Sequence, residues 1–321
     1  MISTSPTNIP RLVTVFGGGG FIGRYVCEAL LKRGVRLRVA QRNPKSAFFL
    51  QPLGSMSQID VVRADVTHPL SVAAAVAGAD AVINMVAIMG GTMNLVNARG
   101  AANVAEAAAR AGVSSLVHIS AIGADPDGGS DYARSKGHGE AAVRGAFPAA
   151  TIIRPSLVFG PEDQLTNRFA GLLAMLPIYP VIAPRTRFQP VYVRDLAKAI
   201  TAATLDPAHC GKTYEIGGPE VMTMRELTRQ IGVAAGQSTE LADMPDFAAD
   251  LMSRFGFLPG APLTRDQWLS LQSDNVVAPG ADGLAAFGIE PVPLSAVAPE
   301  WLGRFREGGR FSSRSTPLSA S

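Results

Sequence analysis

The sequence predicts an α/β fold: a doubly wound parallel sheet with a smaller C-terminal α+β lobe. Three observations carry this expectation. A glycine run, Gly17-Gly18-Gly19-Gly20-Phe21-Ile22-Gly23, lies between an apolar strand-like stretch and a helix-period stretch. Strand-like and helix-like runs then alternate to about residue 160, as they do where helices cross between parallel strands. The chain has 321 residues, 47% of them apolar and 17% charged, enough for one large domain with an added lobe.

In order, the strands are expected at 11–16, 35–41, 57–62, 81–87, 115–120 and 150–159. Helical patterns fill 21–33, 69–77, 92–111 and 131–146. A sheet of this kind, Rossmann-type, binds ligands at the carboxyl ends of its strands. That edge collects Gly17 to Gly23, Arg42, Asp65, Asn84 to Ala87, Ser120 and Arg154 to Phe159. After residue 160 proline and glycine become frequent and the alternation fades. Lys212 to Gly218 reads as a late strand. Met224 to Ala235 reads as a helix, with Thr223 as N-cap and Glu226 at the capping-box position. The expected organisation is a nucleotide-binding domain over 1–160, completed by about 189–223. A second lobe is expected from 161–188 and 224–310, and a disordered Ser-rich tail from 311–321.

The glycine run is read as a pyrophosphate cradle. The backbone must turn sharply, approach the phosphates without a Cβ in the way, and aim free helix N–H groups at the anion. Gly17, Gly20 and Gly23 fit one register, and Gly18, Gly20 and Gly23 another; Phe21 and Ile22 open the helix. The second strand ends Val39-Ala40-Gln41-Arg42, without the acid that would accept from an NAD ribose, and no acidic residue occurs between Glu28 and Asp60. Arg42 is expected to pair with a 2′-phosphate, so NADP(H) is the expected cofactor. Arg33 and Arg36 read as a solvated face. Asp65, with Val66 beside it, either contacts adenine or caps the helix near Pro69. Val86 and Ala87 at the end of the fourth strand, and Pro155 and Leu157 in the sixth, are further expected cofactor contacts.

Tyr132 and Lys136 stand four apart at the start of a helix and share a face. An ammonium near a phenol lowers its pKa, so Tyr132 is expected to serve as an acid–base group. Ser120 would hold a substrate carbonyl. The alternative is a surface Tyr and Lys that only pack, or a pair that positions the cofactor ribose. Other classes are disfavoured. The charge of +3 comes without a basic, aromatic-laced run for nucleic acid. Two cysteines make no disulfide framework, and the four histidines show no metal spacing, so no metal is expected. No leader and no spanning helix are expected. Phe169 to Pro184 is sixteen residues without a charge; Pro177, Pro180 and Pro184 would break a spanning helix, and a buried lobe interface is expected over a partner surface because apolar runs are ordinarily buried.

VFGGGGFIG, HIS, YARSK and RPSLVFGP resemble the extended and atypical short-chain dehydrogenase/reductase superfamily. Phe16 departs from it, since many extended members have threonine before the first glycine. The longer runs YARSKGHGEAAVRGAFP, RPSLVFGPEDQLTNRFA, QPVYVRDLAKAI and PLTRDQWLSLQSDNVV resemble one branch: the accessory subunit of respiratory complex I (NADH:ubiquinone oxidoreductase) and its bacterial relatives. The resemblance implies structurally bound NADPH and partners among complex I subunits of the peripheral arm near the membrane junction. It also implies a peripheral location on the cytoplasmic side of a bacterial inner membrane. Phe169 to Pro184 and Phe247 to Leu258 would then face partners or the bilayer. A freestanding NADP(H)-dependent oxidoreductase or epimerase using Ser120, Tyr132 and Lys136 is the alternative, and an NADP(H)-sensing regulator a third.

Overall fold

The computed structural model describes residues 11–258 and 263–306. The expected tail at 311–321 lies outside the described residues. The first half alternates β1 (Leu12–Phe16), α1 (Phe21–Leu31), β2 (Arg36–Gln41), β3 (Ile59–Arg63), α2 (Pro69–Val76), β4 (Ala81–Asn84), α3 (Gly100–Ala111), β5 (Ser115–Ile119), α4 (Asp131–Ala146) and β6 (Thr151–Pro155). Then come β7 (Val158–Phe159), α5 (Gln164–Met175), β8 (Ile178–Val181), β9 (Arg187–Phe188), β10 (Val191–Tyr192), α6 (Val193–Leu205), β11 (Thr213–Ile216), β12 (Met222–Thr223), α7 (Met224–Ala234), β13 (Glu240–Asp243), α8 (Asp246–Arg254) and α9 (Arg265–Ser270).

Seven strands form one sheet in the order β3-β2-β1-β4-β5-β6-β11, every pair parallel. The order reverses between β1 and β4, the switch point where such sheets open a crevice. Alternation along the strands feeds two cores. Val13 and Val15 face α1 and α6 through Val26, Leu30, Leu196 and Ile200. Phe16 faces the other side, where Val72, Val104 and Val143 pack from α2, α3 and α4. The first core runs on into the late elements through Leu173, Tyr179, Val181, Leu227 and Ile231. A small separate cluster holds Ala183, Ala249, Leu263 and Trp268.

Four expectations are corrected. The fourth strand stops at Asn84, because its buried amide bonds back to Val86 N–H (3.2 Å) and turns the chain out of the ladder. The run 92–111 opens with a π-helical segment, Asn94–Arg99, before α3. The run 150–159 breaks after Ser156: its N–H still bonds to Ile216 O (2.9 Å), but its hydroxyl turns to Asn275, and Val158–Phe159 pair with β10 outside the main sheet. Within Phe169 to Pro184, Leu173, Tyr179, Val181 and Ala183 are buried, but Met175 at the end of α5 is 80% exposed and Leu176 after it faces outward; along β8 the side chains alternate, which leaves Ile178 exposed. The Thr223–Glu226 capping box forms as expected and starts α7. Residues 44–53, unassigned by pattern, form a 3-10 helix.

Candidate functional site

The strand ends lie in register. Phe16 sits beside Ala40 and Asn84, Asn84 beside His118, and Ile119 beside Ile153. The residues that follow therefore share one crevice edge.

Gly17 adopts φ +83°, a conformation that suits glycine, and its carbonyl accepts from Gly20 N–H at 3.0 Å. A Cβ on Gly23 would lie 2.3 Å from Gly17 O and 2.6 Å from Gly18 O, so α1 can approach the turn only without one. A Cβ on Gly18 would press on Val39 at 2.9 Å. Both glycine registers are thus occupied for separate reasons, one by conformation and one by packing. The N-cap of α1 is Gly20, with no side-chain cap and no acid in the first turn. The N–H groups that Phe21, Ile22 and Gly23 present there suit an anion.

Arg42 is exposed directly after β2, as is Lys45. Arg38 is not part of that basic edge: its Nη1 donates to Ala75 O (2.9 Å) and Ala77 O (2.7 Å), which anchors the end of α2. Asp65 does not cap α2, whose N-cap is His68. Its Oδ1 accepts from the Thr67 N–H (2.9 Å) and hydroxyl (2.8 Å), which builds the turn ahead of the helix. Burial raises its pKa, but the Thr67 bonds, with His68 and Arg42 nearby, hold it below the usual value. Val66 is buried, Val86 partly buried and Ala87 exposed.

At the other end of the crevice Ser120 is 4% exposed, and its Oγ has no hydrogen-bond partner among the described residues. A buried hydroxyl left unpaired costs about 1–3 kcal/mol, so the site suits an incoming polar atom. Lys136 is buried and its Nζ donates to Ile119 O at 2.7 Å. Burial pulls its ammonium down to about 8, against the pull of Glu140. Tyr132 is partly buried, and burial pushes its phenol up to about 12. The expected lowering of the phenol pKa by the ammonium is not found. Lys136 is engaged by a carbonyl, and desolvation governs Tyr132. At neutral pH the phenol is therefore a donor. Pro155 is buried and its carbonyl accepts from Ile122 N–H at 3.1 Å, while Leu157 is partly buried beside it. Arg154 grips Glu140 of α4 in a bidentate pair (2.8 and 2.7 Å) and reaches Glu215 of β11.

Four residues that pattern reading missed complete the site. Asn97, in the π-helical turn, bonds to both the N–H and carbonyl of Ile88 (2.9 Å each) and to Ser135 Oγ (3.0 Å), tying the loop after β4 to α4. His118 is buried behind Ser120, with Nδ1 3.3 Å from Asn84 Nδ2. Burial, with the Lys136 charge nearby, holds its imidazole well below the usual value, so it stays neutral. Glu162 accepts from Arg24 Nη1 (2.8 Å) and Tyr25 Oη (2.6 Å), closing the turn after β7 onto α1. Asp266, from α9, accepts from the backbone N–H groups of Asp131 (2.5 Å) and Tyr132 (3.3 Å). Only the Thr264–Gln267 capping box, now seen to start α9, was readable there. Its target, 135 positions upstream, was not.

An NAD(P)H-binding family model matches residues 17–167. Subunit 9 of the alpha subcomplex of mouse mitochondrial NADH dehydrogenase [ubiquinone] 1 is 33% identical over 306 residues, covering 92% of this chain and 80% of the mouse protein. A ceramide reductase of Caulobacter vibrioides is 30% identical over 245 residues, covering 75% of each. An NADPH-dependent quinone oxidoreductase of Escherichia coli, solved with NADPH, superposes with TM-score 0.73 at 20% identity over 90% of this chain and 99% of that one; this likeness speaks to the fold.

Proposed function

Since this chain belongs to the NAD(P)H-binding family of the complex I alpha subcomplex subunit 9 proteins, we propose that it is an accessory or assembly subunit of complex I that carries NADP(H) mainly as a structural ligand. The likeness runs over nearly the whole chain, beyond the nucleotide-binding half, and that extent carries the reading. A ligand that binds only the folded form adds about 4 kcal/mol at a thousandfold excess over Kd. That rivals the whole margin of many domains and gives a reason to keep a nucleotide that does not turn over.

The proposed nucleotide contacts follow the crevice. The pyrophosphate would lie on Gly17, Gly18, Gly20 and the first turn of α1, Phe21 to Gly23. A 2′-phosphate would meet Arg42, which favours NADP(H) over NAD(H). Asp65 and Val66 would border the adenine. Val86, Ala87, Pro155 and Leu157 would flank the nicotinamide end, with Tyr132 and Lys136 at its ribose.

Partners are proposed to meet α8. Two of its large apolar residues, Phe247 (77%) and Leu251 (57%), point outward with the C-cap Phe255 (55% exposed), while Ala249, Ser253 and the half-buried Met252 face the small cluster around Trp268. An exposed apolar stripe beside a packed face fits a protein or bilayer surface. Among the described residues no helix is long and apolar enough to cross a membrane. A peripheral position on the cytoplasmic face of a bacterial inner membrane, by the junction with the membrane arm, completes the reading.

The second reading, an NADP(H)-dependent reductase, is favoured by unpaired Ser120 Oγ and by the neutral phenol of Tyr132. Bound NADPH would supply a hydride. Ser120 would hold the carbonyl oxygen, and Tyr132 would donate its proton to it. Gentle isolation from native membranes, with identification of co-purifying subunits and released nucleotide, tests the first reading; a free, empty protein defeats it. Tyr132→Phe separates the two. The subunit reading expects complex I activity within about twofold of wild type, whereas the reductase reading expects a loss of about a hundredfold or more in NADPH-dependent carbonyl reduction.

A further inference from the structure

We infer that Asp266 is a positioning residue through which the C-terminal lobe sets the nicotinamide end of the nucleotide site; this rests on the reading that the crevice binds NADP(H). Tyr132 occupies the second position of α4, and Lys136 follows one turn later. The N-terminus of this helix is held from two sides. Ser130 Oγ accepts from Ala133 N–H at 3.1 Å, a local cap. Asp266 supplies a cap in trans, one carboxylate oxygen to the N–H of Asp131 and the other to that of Tyr132 itself. A carboxylate here also satisfies the positive end of the helix dipole.

Asp266 is itself well held. The Thr264–Gln267 box starts its helix, and buried Trp268 donates from Nε1 to Asp250 of α8 at 3.2 Å. Arg265 pairs with the same Asp250. Nine residues on, Asn275 bonds to Ser156 Oγ at 2.7 Å, and its Nδ2 donates to Ile122 O at 3.4 Å. Segment 264–275 is thus fastened across the end of the crevice, to the Tyr132 helix on one side and to the β6 exit on the other. Without it, the first turn of α4 would keep only Ser130 and would fray where Tyr132 sits. Docking of this segment and binding of the nicotinamide half are then one cooperative event, and each must strengthen the other.

The test compares Asp266→Ala and Asp266→Asn with wild type in titrations against NADPH and against adenosine 2′,5′-bisphosphate, which lacks the nicotinamide half. Asp266→Ala is expected to weaken NADPH about tenfold, the size of one lost cap, and to leave the bisphosphate within about twofold. Asp266→Asn, which keeps one acceptor oxygen, should recover most of the loss. Amide exchange at Asp131 and Tyr132 should speed up in Asp266→Ala, and NADPH should protect 264–270 in wild type but not in that variant. Equal weakening of both ligands would mean general loss of structure and overturn the proposal; so would NADPH binding and amide exchange unchanged from wild type. If wild type bound neither ligand, the nucleotide reading would fail, and unchanged exchange at Asp131 and Tyr132 would then overturn the positioning role separately.

Discussion

Helices α1 and α4 both start at the carboxyl edge of the sheet. Their ends are treated in opposite ways. The N-terminus of α1 begins at Gly20 and has no side-chain cap among the described residues. That of α4 is capped twice, by Ser130 and by Asp266 from the second lobe. An uncapped N-terminus keeps its donors and the positive end of its dipole for an anion. A capped one has used them, and what it offers is a fixed side chain. One helix end is therefore suited to phosphate, the other to holding Tyr132 and Lys136 in place.

The most direct way to break this contrast is to cap α1. Gly20 is extended (φ −81°), a conformation open to aspartate, and a Cβ there would meet Gly17 O at 3.2 Å. Gly20→Asp should leave the melting temperature within a few degrees and weaken NADPH binding by about a hundredfold or more. The carboxylate takes the donors and repels the pyrophosphate, each charge-assisted bond being worth about 1.5–3 kcal/mol. Fluorescence titration checks this, and retained affinity would mean that the open helix end is not the phosphate site.

Lys136 sharpens the other side of the contrast. In the fold it gives up its proton near 8, whereas its ordinary value is 10.5. Below pH 8 the fold carries the cost of a buried ammonium. Between about 8 and 10.5 the unfolded chain holds more protons than the fold, so stability contributed at this site rises with pH across that window. Denaturant titrations should show wild type gaining on Lys136→Met, by an amount of order 3 kcal/mol at most, as pH climbs from 8 to 10.5. A flat difference would mean that the ammonium is well solvated.

Arg42 tests the adenosine half. Arg42→Glu should weaken NADPH by about 2 kcal/mol and leave NADH binding unchanged or slightly improved, as calorimetry can measure. Equal losses for both nucleotides would count against a 2′-phosphate contact. The smallest effect on the fold is expected at α8. Phe247→Glu should change stability by less than about 0.5 kcal/mol, because the ring is exposed, while reducing co-purification with partner subunits. A large drop in stability would place the stripe in the domain's own packing.

The two helix ends also differ in how far they could be read from sequence. At α1, the strand, the turn and the first helical turn lie within residues 12–31, and the glycines report their own steric demands. At α4, Tyr132, Lys136 and Ser130 are local, but Asp266, Asn97 and His118 arrive from other segments. The phenol was expected to be acidified by its neighbour four positions on. The fold instead gave that ammonium to the Ile119 carbonyl and buried the ring, so the shift has the opposite sign. Spacing brings two side chains onto one face; it does not say what else competes for them.

By itself the sequence determined the parallel sheet and the glycine turn, and it placed Arg42 and Ser120 at strand ends and Tyr132 and Lys136 in the first turns of one helix. Each of these rests on near neighbours along the chain, through periodicity, the steric room of glycine, or charge close to a strand end. Only the tertiary structure decided that Asp65 builds a turn, that Arg154 pairs with Glu140, and that α8 leaves Phe247 and Leu251 exposed. It alone brought Asp266 onto the Tyr132 helix. Burial and hydrogen-bond partners are properties of distant segments brought into contact, and no local pattern encodes them.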